Sequence, residues 1–213
     1  MKEKLKRFWN FLWHDDSFLS WVTLAIIVFV GFKYVVYPLI GFAIGTSLPV
    51  VAVISESMEH RVNVDGEGVY YMCGISFSSR PDSVSFERWW RICGEWYEDN
   101  TDITLEDFEE FKFRDGFNKG DIIIARGKKP ENIQVGEVII FQATQPVPII
   151  HRVIDVREEG STFYFTAKGD NNADVNSAIG ENRIHEDNVI GVAVFKIPYI
   201  GYFRVWLGQI LGF

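Results

Sequence analysis

Residues 18–32 carry no charged side chain and are mostly apolar, and past Lys33 the chain stays uncharged through Ser55. A helix needs about 20 predominantly apolar residues to cross a bilayer core. The stretch is longer than one untilted span and too short for a helical hairpin, so it reads as one tilted or kinked membrane helix. The anchor is assigned to 18–48, with its helix reaching about residue 46, Asp16 or Ser17 as its cap and Pro38 as the kink. Lys33 reads as a side chain reaching for headgroups rather than as a functional intramembrane charge. Lys2, Lys4, Lys6 and Arg7 precede the span. They place residues 1–17 in the cytoplasm and everything after about residue 48 outside the cell membrane. A cleaved signal sequence shares the pattern of basic residues before an apolar run. The run here is longer than a signal core, and no small-x-small site closes it before Ser55.

The 213-residue chain has room for one modest domain beyond the anchor. After residue 33 it carries 16 basic and 26 acidic side chains, about −10 in net charge. Such a surface repels phosphate backbones, so nucleic acid is not an expected partner. Cys73 and Cys93 are too few for a four-ligand zinc site, and neither a metal nor a cofactor is expected. In an oxidising compartment they can close a disulfide; otherwise they are two reduced, partly buried thiols.

Short runs rich in Ile, Val and Phe, at 121–125, 136–142, 147–156, 163–167 and 189–197, are separated by Gly, Pro, Asn and charge. This spacing, without helical periods between, predicts a mostly β fold: an antiparallel β catalytic domain formed by 49–60 and 119–200. Residues 61–118 break the pattern with Trp89, Trp90, Trp96, Tyr97 and Phe108 among acidic and Gly residues. They read as an inserted aromatic-rich subdomain of short helices and turns, with Thr104 and Asp107 forming a capping box. The apolar tail, 201–213, is short for a span and could lie on the membrane surface.

Directly after the anchor comes Ser55-Glu56-Ser57-Met58-Glu59, which holds a hydroxyl close to the bilayer. A serine needs a base to act as a nucleophile at neutral pH. Of four histidines, His14 lies on the cytoplasmic side of the anchor, His60 is held too close to Ser57 in sequence, and His185 falls in a polar loop. His151 sits mid-strand, where a sheet can fix its ring. Lys168-Gly169-Asp170-Asn171-Asn172 supplies a carboxylate.

Together with Lys119-Gly120-Asp121-Ile122 and His151-Arg152-Val153, these runs resemble type I signal peptidase over the anchor and about 50–60 and 119–200. Histidine at 151, where the bacterial branch has lysine, resembles the archaeal and endoplasmic-reticulum branch. The resemblance implies a membrane-bound serine endopeptidase removing signal peptides from secreted preproteins. It implies Ser57 as nucleophile, His151 as general base, and Ser55 with the Ser57 backbone N–H as oxyanion donors. Asp170 matches the first of the family's two aspartates. The second is expected at 176, where this chain has Asn, with Asp174 two residues early; either Asp170 or Asp174 orients His151. Implied partners are preprotein signal peptides, membrane lipids and, as a candidate, the translocation channel. Small residues at −1 and −3 of the substrate are also implied.

Two other readings fit the residues. One keeps the reaction but makes Lys168 the base in a Ser–Lys dyad, which requires a buried, neutral lysine. The other is a catalytically silent membrane-anchored β module presenting its aromatic insertion to a partner.

Overall fold

The computed structural model describes residues 2–79 and 84–198, so the apolar tail at 201–213 lies outside the described residues. Contacts divide the chain into two units, Met1–Ser47 and Leu48–Phe213.

In the first unit, Lys2–His14 forms helix α1, an element the basic composition alone did not announce. Its Leu5, Phe8, Trp9 and Trp13 are exposed. Ser17 then caps α2 (Phe18–Gly31) by accepting from the Ser20 N–H. The long apolar helix continues through a π-helical turn, Phe32–Val36, into α3 (Tyr37–Ile44). Pro38 lacks the N–H of a regular helix, and the widened turn directly before it accommodates that loss. Gly45, at φ 71°, ends the helix in the left-handed conformation. As one helix, Phe18–Ile44 is long and apolar enough to cross a membrane.

The second unit is built on a seven-stranded antiparallel sheet. Its strands are β1 (Val50–Ala52), β5 (Ile122–Arg126), β6 (Val138–Phe141), β7 (Ile149–Glu159), β8 (Thr162–Lys168), β9 (Ile184–His185) and β10 (Val189–Ile197), in the order β1-β5-β10-β6-β7-β8-β9. The five apolar runs of the sequence all became strands. Alternation along β6 serves two faces: Val138 and Ile140 join Met58, Phe117 and Ile123 in one cluster, while Ile139 and Phe141 join Val153, Phe165 and Val192 in another. The short strands β1 and β9 lack the length to show a pattern in sequence.

Residues 61–118 hold a three-stranded sheet, β2 (Asn63–Val64), β3 (Tyr70–Met72) and β4 (Ile75–Phe77), followed by α4 (Phe86–Asn100) and α5 (Leu105–Glu110). Thr104 and Asp107 form the expected capping box. Trp89, Trp90, Tyr97 and Phe108 pack as a third cluster that takes in Ile154 of β7. The β7–β8 register shifts between Val153 and Asp155. A bulge there re-aims one residue of the strand, and Ile154 becomes the sheet's contribution to that cluster.

Cys73 and Cys93 are joined as a disulfide that ties the β3–β4 turn to α4. The bridge closes a loop across a sequence separation of 20. Loop-closure entropy then assigns it about 3 kcal/mol. Replacing both cysteines with serine should lower the unfolding free energy by roughly that amount in urea denaturation; an unchanged midpoint would show that the insertion holds together without the bridge.

Candidate active site

Ser57 sits in the turn after β1, and its backbone is held from several sides. The Asn171 N–H donates to Ser57 O (2.8 Å), the Phe117 N–H to Met58 O (2.8 Å), and the Glu59 N–H to Glu56 O (3.1 Å). Met58 anchors the turn in the core with 1% of its surface exposed. The following carboxylate, Glu59, is buried; it is held by Arg61 at 2.6 and 2.7 Å and accepts from the Lys119 N–H at 2.8 Å.

His151 lies on β7 opposite Ile139 of β6. Its Nε2 is 2.9 Å from Ser57 Oγ, and the Ser55 hydroxyl is 3.1 Å from the same oxygen. On the other side of the ring, Nδ1 is 2.7 Å from Glu181 Oε1. That carboxylate oxygen lies off the ring's N–H axis, so the pair is in close electrostatic contact without a fully aligned hydrogen bond. A neutral imidazole with its proton on Nδ1, facing Glu181, leaves the Nε2 lone pair for the serine O–H.

The carboxylate beside His151 is therefore Glu181, which neither the Asp/Asn-rich run nor its spacing marked. A 3-10 turn, Ser177–Ile179, and Gly180 in the left-handed conformation (φ 83°) bring Glu181 inward. Asn176, where a second aspartate was expected, caps this turn and donates its backbone N–H to Glu181 Oε2 at 2.8 Å. Glu181 is completely buried. Asp174 is exposed, accepts from the Val175 N–H (2.7 Å), and lines a groove beside Trp96, Asp155 and Arg157.

Asp170 is buried and bound elsewhere. It accepts two hydrogen bonds from Arg152, at 2.9 and 2.7 Å, one from His60 Nε2 at 3.0 Å, and one from the Tyr97 hydroxyl at 3.2 Å. Burial alone would raise this carboxyl, but the charge and hydrogen bonds of Arg152 and the bond from His60 outweigh it and hold it well below the usual range. His60 turns its Nε2 to Asp170. It stacks on Trp89 with centroids 3.7 Å apart, and its burial lowers its pKa despite Asp170.

Lys168, the alternative base, donates to Gly169 O (3.2 Å) and lies over the rings of Trp96 (4.7 Å) and Tyr97 (4.9 Å). The ring at Ser57 Oγ is that of His151. Gly169 is required sterically, since a Cβ there would come within 2.8 Å of both His151 Nε2 and Ser57 O. Among the described residues no group of three or more His, Cys, Asp or Glu could hold a metal ion.

An apolar cleft of about 450 Å³ opens at the Ser57–His151 pair. Val50 and Ala52 of β1, Val147, Pro148, Ile149 and Ile179 line it. A serine paired with a histidine beside such a cleft holds the groups that nucleophilic acyl transfer requires. No family model matches the chain. The chain is 32% identical over 90 residues to the signal peptidase complex catalytic subunit SEC11C of Homo sapiens, covering 40% of this chain and 47% of that protein. It is 28% identical over 98 residues to the signal peptidase complex catalytic subunit SEC11 of Fusarium vanettenii, covering 44% and 57%. The chain spans about half the length of the curated relatives it matches. Over these stretches the chain is similar to catalytic subunits of the signal peptidase complex.

Burial lowers the Lys168 ammonium from 10.5 to about 8, against the pull of Asp170, Asp174 and Glu181. Between those two values the unfolded chain keeps a proton that the folded chain has released. Stability from this residue therefore rises with pH across the window. The unfolding free energy of the wild type relative to Lys168→Met should rise by up to about 3 kcal/mol from pH 8 to 10.5. Parallel pH profiles for the two proteins would show that Lys168 is not the group responsible.

Proposed function

We propose that the chain is a membrane-anchored serine endopeptidase that removes signal peptides from secretory preproteins. Its amino terminus lies in the cytoplasm and its β domain outside the cell membrane. Ser57 is the nucleophile, His151 the general base, and Glu181 the carboxylate that orients the imidazole, the role that the sequence offered to Asp170 or Asp174. The observation that carries this reading is the contact of 2.9 Å between Ser57 Oγ and His151 Nε2 with Glu181 behind the ring.

The chemistry follows from these positions. His151 Nε2 takes the Ser57 proton as Oγ attacks the scissile carbonyl, and the developing oxyanion is met by the Ser55 hydroxyl and the Ser57 N–H. The imidazolium then gives its proton to the departing amine, and water hydrolyses the acyl-enzyme by the same route. The Glu181 carboxylate stabilises the imidazolium at Nδ1 while it exists. Lys168, held over Trp96 and Tyr97, supports no proton transfer to Ser57.

The apolar cleft beside β1 suits the end of a signal peptide's apolar segment, bound as an extended strand along the sheet edge. Alternate side chains of such a strand face the same way, so positions −1 and −3 are read together and small residues fit there. The disulfide fits an extracytoplasmic domain. The relatives are named as catalytic subunits of a complex, and this chain would likewise work at the membrane beside the translocation channel.

Ser57→Ala should abolish cleavage of a membrane-inserted preprotein in detergent, by on the order of 10⁴-fold or more, with the fold intact. Undiminished turnover would defeat the assignment in favour of a silent module. Two further variants separate the carboxylates. Glu181→Gln should fold normally and lose about 10²–10⁴-fold in kcat. Asp170→Ala should instead lose about 3–5 kcal/mol of stability, because it strands the Arg152 charge in the interior. A stable, inactive Asp170→Ala beside a fully active Glu181→Gln would return the orienting role to Asp170.

A further inference from the structure

The cleft on one side of Ser57 is apolar, but the other side is not. A second, smaller cavity of about 280 Å³ also opens onto Ser57, and its wall is polar: Glu56, Asn63, Tyr71, Lys119 and Asn171. Asn63 and Tyr71 come from the insertion, where they are directly paired across β2 and β3 and so share a face. The insertion thus reaches the nucleophile, a contact that the aromatic composition of 61–118 did not foretell.

Most groups in this wall are committed. The Asn171 amide accepts from the Cys73 N–H (3.1 Å) and donates to Glu56 O (3.3 Å). The Tyr71 hydroxyl faces Glu56; burial first, and then that carboxylate, raises its pKa. Asn63 differs. It is 6% exposed, and its Nδ2 is buried with no hydrogen-bond partner among the described residues. A buried amide donor without an acceptor is costly, and native structures retain one where something else completes it.

We propose that this cavity is a subsite for the peptide on the carboxyl side of the scissile bond, and that it takes an uncharged polar side chain offering an acceptor to Asn63. The assignment rests on the peptidase reading above. With the apolar signal segment along β1, the amine-side product leaves Ser57 in the opposite direction, into the polar cavity. The first or second residue of the mature chain then meets Asn63. Opposite charges at Glu56 and Lys119 flank the opening, so neither sign of substrate charge is favoured over a neutral amide. An asparagine satisfies the buried donor, whereas a leucine of the same shape leaves it unpaired. The insertion, absent from the resemblance to the peptidase core, thereby becomes a reader of the mature amino terminus.

The test uses the full-length protein in detergent and a panel of preproteins with one signal peptide and one −1 to −3 sequence. The panel carries Asn or Leu at +1, and separately at +2. Wild type should prefer Asn over Leu at one of the two positions by about tenfold in kcat/KM. In Asn63→Leu that preference should fall to about unity or reverse. The ratio between two substrates is independent of how much of a variant is correctly folded, so partial misfolding does not obscure it. Ser57-dependent cleavage with equal rates for Asn and Leu at both positions would overturn the subsite and leave the peptidase reading standing. A preference that persists in Asn63→Leu would overturn the role of Asn63. No Ser57-dependent cleavage of any panel member would overturn the peptidase reading and the subsite with it.

Discussion

Four segments distant in sequence meet at one buried carboxylate. Asp170 is held by Arg152 of β7, His60 after the serine turn, and Tyr97 of α4. Arg152 is itself fully buried. It donates to the carbonyls of Phe113 and Gly136 at 2.9 Å and lies 4.6 Å from the centre of the Phe108 ring. Two charges in a dry interior are tolerated only when each is satisfied, and here nearly every donor has an acceptor. The consequence is geometric. Fixing Asp170 fixes the loop 169–171, whose Asn171 N–H holds Ser57, and fixing Arg152 fixes the strand position next to His151.

The ion pair therefore acts on Ser57 and His151 without touching them. Ser57 and His151 lie on separate segments, 94 residues apart in sequence, yet their heteroatoms are at hydrogen-bond distance. A contact between such distant segments keeps its geometry only in a rigid frame, which the Asp170–Arg152 pair supplies. Gly169 shows how close the tolerances are, since a single methyl there would meet both the imidazole and the serine carbonyl.

The segment 61–118 belongs to the same frame rather than decorating it. Its aromatic cluster takes in Ile154 from a bulge in β7, its disulfide holds the β3–β4 turn, and the Cys73 N–H reaches Asn171. Through Asn171 two hydrogen bonds link the oxidised turn to the backbone of Ser57. Reducing conditions would loosen this brace, whereas an extracytoplasmic location preserves it.

Local patterns were enough for the parts of the molecule governed by local physics. The uncharged stretch from 18 matches the membrane-length helix, short Ile-, Val- and Phe-rich runs between turn residues match five strands of the sheet, and Thr104 with Asp107 form a capping box, because such runs and caps depend on neighbours in sequence. Ser57 and His151 stood out by residue type and setting, and the structure brings their heteroatoms to 2.9 Å. The short strands β1, β2, β3, β4 and β9 were not legible, since two or three residues show no period. Nor was Glu181, whose place beside His151 depends on a 3-10 turn and a left-handed glycine folding it inward, while Asp170, one of the two carboxylates the sequence offered, is taken by Arg152. Carboxylates look alike in a sequence. Only the tertiary fold decides which one is buried against an arginine and which against a histidine, because that depends on segments brought together from far along the chain.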